Sequence, residues 1–206
     1  MRRVFIISIA GLLFLAACSD IRKPSDANFT KAINQYLAKH GQACASIGQM
    51  FPVDVPESDQ GDQYGIGSQM AALEQAGLVH SSNIVAAAPG VLRPGARHPL
   101  KRYELTDEGG KYFRLVPGIF GKTGSFCYGQ KTVDSIVKWT EPMTVGAYSQ
   151  SEVTYTYKLL DLAGWAERPD VQRVFSDIRG TVNGASKADE IAGLQLTNKG
   201  WDVPVP

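Results

Sequence analysis

Residues 153–160 read Val-Thr-Tyr-Thr-Tyr-Lys-Leu-Leu, and this run constrains the fold more than any other part of the chain. Apolar or aromatic side chains alternate with Thr and Lys, the period of two expected where one strand face is buried and the other is wet. A second β-rich run, Thr132-Val133-Asp134-Ser135-Ile136-Val137-Lys138-Trp139, ends the stretch 126–140. Pro142, Gly146 and Ser149 lie between the two, so an antiparallel pair joined by a longish loop is expected. Tyr155 and Tyr157 share a face with Val153 and Leu159. That face reads as core under the helices, with an aromatic-lined groove for a peptide, glycan or lipid as the functional alternative.

Helical spacing is found upstream. Phe29, Ile33, Tyr36 and Leu37 recur at i, i+4, i+7 and i+8, after caps offered by residues 26–28 and before Gly41 as a stop. Cys44 and Ile47 continue an apolar face and are expected to add a helical turn. Pro52 and Pro56 break regular structure, and 57–67 reads as a polar loop. Ser68 is expected to cap a second helix, with Met70, Leu73 and Ala76 inward and Gly77 at its end. Pro89, Gly90, Pro94, Gly95 and Pro99 predict an irregular segment over 81–99. Residues 102–105 read as a short strand, followed by a Thr106-capped helical turn that includes Tyr112 and Phe113. Pro169 suits the first turn of a short helix with Val171, Val174 and Phe175 inward, and 180–189 reads as a loop before a terminal strand.

The start of the chain gives an address. Met1-Arg2-Arg3 is positive, and residues 4–15 are apolar apart from Ser8 and Gly11. That run is too short for a permanent span and has the layout of a cleaved export signal. Leu15-Ala16-Ala17-Cys18 resembles the lipobox of bacterial lipoproteins. The resemblance implies removal of residues 1–17, diacylglycerol on the Cys18 thiol and a lipid-anchored tether over 18–25. Two or three acyl chains anchor stably. In enterobacterial sorting an Asp directly after the Cys retains a lipoprotein in the inner membrane. Ser19 stands there instead, which implies the outer membrane, with the body facing the periplasm.

Charge and cysteine usage follow from that address. The chain carries 21 Lys+Arg and 20 Asp+Glu, and losing Arg2 and Arg3 with the signal turns a formal +1 into −1. A near-neutral body does not advertise a nucleic-acid partner, since phosphate binding needs a surplus of cations. With Cys18 used by lipid, Cys44 and Cys127 remain in an oxidising compartment, where thiols tend to pair. Their bridge would close a loop of about 80 residues, which the chain-entropy model values at roughly 4–5 kcal/mol. Neither Cys sits in a CxxC or beside a His, so nothing visible lowers a thiol pKa.

The strings "AALEQAGLV" and "RYELTDEGGKYF" resemble the helix, wing and following helix of bacterial winged-helix domains, over roughly residues 69–113. Leu194-Gln195-Leu196-Thr197-Asn198-Lys199-Gly200-Trp201 returns the Leu-Thr-x-x-Gly core and suggests a local structural repeat. Arg93, Arg97, His98, Lys101 and Arg102 cluster where a wing would sit. A solvated basic loop is the favoured reading of that cluster. Binding to an anionic surface such as lipid headgroups comes next, and nucleic acid last, because the export signal and slightly negative charge oppose it.

Catalytic signatures are sparse. No G-x-S-x-G elbow is present, and His40, His80 and His98 lack zinc-ligand spacing. Asp107-Glu108 and Asp189-Glu190 are adjacent carboxylates, which diverge on a helix and do not converge on one substrate atom. An acid/base pair drawn from distant positions stays open. Trp139 and Trp201 are expected to be partly exposed and are the aromatic binding candidates.

The expectation is an α+β protein with one body over 26–206 and sub-units at 26–115 and 116–206. N-terminal helices with a winged-helix-like unit would lead into an antiparallel β-hairpin or sheet with short helices. The expected function is a non-enzymatic cell-envelope lipoprotein, a binding or assembly module without metal or cofactor. It would be held by Cys18 at the periplasmic face of the outer membrane and partnered by an envelope protein, a glycan or anionic lipid. An envelope hydrolase with a carboxylate- or His-based site is the alternative.

Overall fold

A computed structural model of the chain describes residues 20–87, 97–118, 121–146 and 148–205. The signal segment 1–17, Cys18 and Arg93 lie outside the described residues. In chain order the elements are α1 (Asp26–His40), β1 (Gln42–Ser46), β2 (Val53–Pro56), α2 (Ile66–Gln75), β3 (Val79–Ala87), β4 (Arg97–Leu105), α3 (Asp107–Tyr112) and β5 (Phe113–Gly118). They continue with β6 (Gly121–Trp139), β7 (Met143–Val145), β8 (Tyr148–Leu160), α4 (Pro169–Val174), α5 (Ser176–Gly184), β9 (Asp189–Thr197) and β10 (Gly200–Asp202). Helices are thus combined with antiparallel strands, as the α+β expectation requires.

Ser25 begins α1: its side chain accepts the Asn28 amide hydrogen, which moves the cap one residue ahead of 26–28. Gly41 ends the helix, its N–H donating to the Leu37 carbonyl. Phe29, Ala32, Ile33 and Leu37 form the buried stripe. The helical turn expected around Cys44 is a strand instead. In β1, Ala43 and Ala45 alternate inward, and pairing with β6 satisfies a backbone that helical spacing alone could not hold.

The large sheet runs β1-β6-β8-β9-β10, with β5 on β6 and β7 on β8. The expected pair of β-rich runs forms, with Val133 opposite Tyr157, Ile136 opposite Tyr155 and Trp139 opposite Val153. On β6 these residues are three apart, whereas their partners on β8 are two apart. Register shifts between Val133/Ser135 and Ile136/Lys138 absorb the extra residue each time, so all three keep to the core face. The expected loop between the runs carries β7, which folds back on β8 with Met143 opposite Gln150.

The small sheet has the order β2-β4-β3. The segment expected to be irregular over 81–99 contributes a hairpin, from Val79 opposite Leu105 to Ala87 opposite Arg97. Pro99 is tolerated there because β2 reaches only to Leu100, which leaves β4 with one neighbour at that point. α2 begins at Ile66 with Gly65 as its cap, three residues before the expected cap Ser68, whose hydroxyl donates to the Asp62 carbonyl. Gly77 ends it at φ +76°. Thr106 caps α3 as expected by accepting the Gly109 amide hydrogen, while Phe113 already belongs to β5.

The second Thr-x-x-Gly string does something else. Thr197 accepts the Lys199 amide hydrogen and donates to the Gly200 carbonyl, forming the β9–β10 turn. One string therefore starts a helix and the other turns a hairpin, and they are not a structural repeat. α4 begins at Pro169 as expected, but α5 occupies part of the stretch read as a loop and buries Ile178.

Two cores hold these layers. One packs α1 on the large sheet through Phe29, Ile33, Leu37, Val133, Val153, Tyr155, Tyr157, Leu194 and Trp201. The other joins the small sheet and α2 to the first half of β6 and to α4 and α5, through Val53, Met70, Leu73, Tyr103, Phe126, Tyr128, Trp165 and Ile178. α1 therefore packs on the large sheet and not on the α2–β3–β4 unit.

Candidate functional site

The basic stretch on β4 is paired. Arg102 donates to both carboxylate oxygens of Asp54 at 2.7 Å, from a position directly across the β2–β4 register. Lys101 reaches Glu74 of α2 at 3.1 Å, and Arg97 donates to the Val85 carbonyl at 2.7 Å. The Arg102 guanidinium holds the Asp54 carboxyl below its ordinary value despite partial burial. Burial pushes the Glu74 carboxyl up, but hydrogen bonds from Ser81 and Lys101 outweigh it and hold it low. An anionic ligand approaching Lys101 or Arg102 would meet cations already neutralised. These side chains brace the small sheet.

The two tryptophans proposed as binding residues clamp Phe29 between them, with ring centroids 5.3 Å (Trp139) and 5.1 Å (Trp201) from it, edge to face. Trp201 is only 6% exposed, against the expectation of partial exposure, while Trp139 is half-buried. Their indole N–H groups donate to Asp26 Oδ1 at 3.0 Å and to the Arg22 carbonyl at 3.2 Å. Both tie the start of the body to the end of the sheet.

Tyr155 and Tyr157 are buried in the core beneath α1. Tyr155 donates to Glu190 at 2.9 Å, Lys131 pairs with the other Glu190 oxygen, and the Lys131 ammonium stands 4.2 Å from the Tyr157 ring centroid. Tyr157 donates to the Thr181 carbonyl at 2.8 Å. Burial pushes the Tyr155 hydroxyl well above its ordinary value, and the Glu190 carboxylate adds to it. A phenol so held stays protonated at neutral pH, and its bond to Glu190 locks packing. Sequence reasoning missed Lys131 and Glu190 here. The available signal was the phenols themselves, because a buried tyrosine needs a partner for its hydroxyl.

Cys44 and Cys127 form a disulfide, S–S 2.09 Å, across the β1–β6 register. The histidines are not brought together: His40 stacks on Tyr36, His80 lies 3.6 Å from Glu104, and His98 is on β4. Among the described residues no group of three or more His, Cys, Asp or Glu could hold a metal ion. No described helix is long and apolar enough to cross a membrane.

Several openings lie among the described residues. A cleft of about 330 Å³ between α2 and α4 is lined by Ser68, Gln75, Asp170 and Arg173. Arg168 grips both Asp170 oxygens and holds that carboxyl low, the opposite of what a general acid needs. A larger groove of about 570 Å³ lies at the β7–β8–β9 end of the sheet, lined by Glu141, Met143, Gln150, Glu152, Gln195 and neighbours. Gln150 and Gln195 face each other in the β8–β9 register. Ser151 in this groove is buried and donates to the Thr140 carbonyl at 2.7 Å, so its hydroxyl is no free nucleophile. Side-chain amides, carboxylates and a thioether can hold a ligand by hydrogen bonds and apolar contact. No protein-family model, curated protein or solved structure matches this chain.

Proposed function

We propose that the protein is a non-enzymatic lipoprotein of the cell envelope, a binding or assembly module anchored through Cys18 at the periplasmic face of the outer membrane. The observation that carries this reading is the apolar run over 4–15 followed by Leu15-Ala16-Ala17-Cys18. The Cys44–Cys127 bridge supports it, since disulfides persist in oxidising compartments. The groove with Gln150 and Gln195 suits an envelope peptide or a glycan, whose amides or hydroxyls would pair with those side chains. A hydrolase would need a carboxylate free to carry a proton, and the one in the α2–α4 cleft is held ionised by Arg168.

Within the body we read the unit from β2 to α3 as winged-helix-like. The two quoted strings support this, as does a helix leading into a β3–β4 hairpin with β2 as third strand. α4 packs against α2, the helix that would have to enter a DNA major groove, so we read the unit as a scaffold. Labelling cells with radioactive palmitate tests the assignment. Label should enter the protein, be lost in Cys18→Ala, and processing should stop with globomycin. An unprocessed, unacylated chain recovered from the cytosol overturns it.

A further inference from the structure

The described chain is tied to the body from Asp20 onward. The Lys23 amide donates to the Asp20 carbonyl at 3.1 Å, and Asn28 Nδ2 donates to the Asp20 and Lys23 carbonyls at 3.0 and 2.9 Å. Trp201 holds the Arg22 carbonyl at 3.2 Å, and Gly200 approaches so closely that a Cβ there would stand 3.0 Å from the Ile21 carbonyl oxygen. The stretch read as a tether is thus bound to the body over residues 20–25. Two residues of chain reach at most about 7 Å, and one headgroup layer is roughly 5–8 Å deep. An acylated Cys18 would leave the body resting on the bilayer surface.

Topology says which end rests there. Ile21 abuts the β9–β10 turn. The register of Gln150 with Gln195 carries the β7–β8 turn to that same end, and the Trp139–Asp26 bond brings the end of β6 beside it. Three large apolar side chains of this end stand in solvent: Ile21 is 45% exposed, Met143 70% and Tyr148 58%. Arg22, Lys23 and Lys199 are exposed with them. Of the carboxylates at this end, Asp20 is turned onto the Arg22 amide, Asp26 accepts from the Trp139 indole, Glu141 and Glu152 line the groove, and Asp202 lies on β10 opposite Gln195. Apolar and aromatic side chains mixed with cations are what the headgroup region favours.

We propose that Ile21, Met143 and Tyr148, with Arg22, Lys23 and Lys199, form a membrane-seating surface. It lies in the headgroup layer and holds the body in one orientation. This rests on the reading of Cys18 as acylated. The small sheet packs on the first half of β6, away from Trp139 at the other end of that strand, and Val85 of the small sheet is exposed and serves as a control position.

The test uses the lipidated full-length protein in vesicles of phosphatidylethanolamine and phosphatidylglycerol containing a bromolipid quencher. A fluorophore is placed at Met143→Cys, Tyr148→Cys or Val85→Cys in separate variants. Quenching at 143 and 148 should exceed that at 85 severalfold. It should persist when a flexible Gly-Ser insert of about 12 residues, some 20 Å of reach, separates Ser19 from Asp20. Equal quenching at the three positions in an acylated chain overturns this inference alone, as does loss of the difference with the insert. A chain that takes up no palmitate overturns the acylation reading and this inference with it.

Discussion

Gly109 and Gly110 are neighbours in the six-residue helix α3, yet only one can accept a methyl group. A Cβ on Gly109 would stand 1.8 Å from the Leu78 carbonyl oxygen, whereas one on Gly110 meets nothing within 4 Å. Gly109→Ala should therefore cost about 1–3 kcal/mol or more, as overpacking does, while Gly110→Ala should be neutral or stabilising by up to about 1 kcal/mol. Urea denaturation of the two variants separates them. A second residue-scale expectation concerns Asp54, whose carboxyl the Arg102 guanidinium holds below its ordinary value. A group with a lowered folded pKa stabilises above its unfolded value of about 4 and loses that contribution as pH falls through the folded value. The melting-temperature gap between the native protein and Asp54→Asn should be present at pH 7 and close in acid. Neither behaviour was legible locally. The Leu-Thr-x-x-Gly string marked Gly109 without showing what approaches it, and Arg102 read as a free cation because Asp54 lies 48 residues away.

At the scale of elements, β6 shows why a period-two rule catches one strand and blurs its partner. β8 alternates cleanly, so its buried face was plain from Val153, Tyr155 and Tyr157. On β6 the core-facing residues Val133, Ile136 and Trp139 fall at a spacing of three, which matches neither strand nor helix until two bulges are known. Asp134 is the extra residue of the first bulge and is exposed. Asp134→Ala should change stability by no more than about 0.5 kcal/mol. Deleting Asp134 should keep cooperative unfolding, because Val133, Ser135 and Ile136 then alternate regularly opposite Tyr157, Thr156 and Tyr155, whereas inserting an Ala between Tyr155 and Thr156 should prevent it by forcing Tyr155 and Tyr157 onto opposite faces. Near-UV circular dichroism and a denaturation curve distinguish the outcomes. The β3–β4 hairpin escaped the sequence because prolines and glycines cluster in and around it. Pro99 is compatible with a strand only where the neighbouring β2 has already stopped.

For the whole molecule, β6 is the shared element: its first half lines one core and its second half the other. The Cys44–Cys127 bridge joins β1 to it across a sequence separation of 83. Replacing both cysteines by Ala should lower stability by roughly 4–5 kcal/mol on the chain-entropy account. Equal urea midpoints for the native and double-variant proteins would show that the paired strands alone already restrict the unfolded chain.

The amino-acid order by itself determined the α1 stripe and the alternating strand β8. Those features are periodicities, and a backbone of known pitch translates them directly into faces. Only the tertiary structure decided what the polar and aromatic side chains touch. Trp139 meets Asp26 across 113 residues, and Trp201 meets the Arg22 carbonyl across 179. Such partners depend on sheet register and bulges summed over many residues, and no local pattern carries that sum. The same cause turned Lys101 and Arg102 from a candidate anion site into the braces of a small sheet, and two candidate ligand-binding tryptophans into the clamp that seats the start of the body.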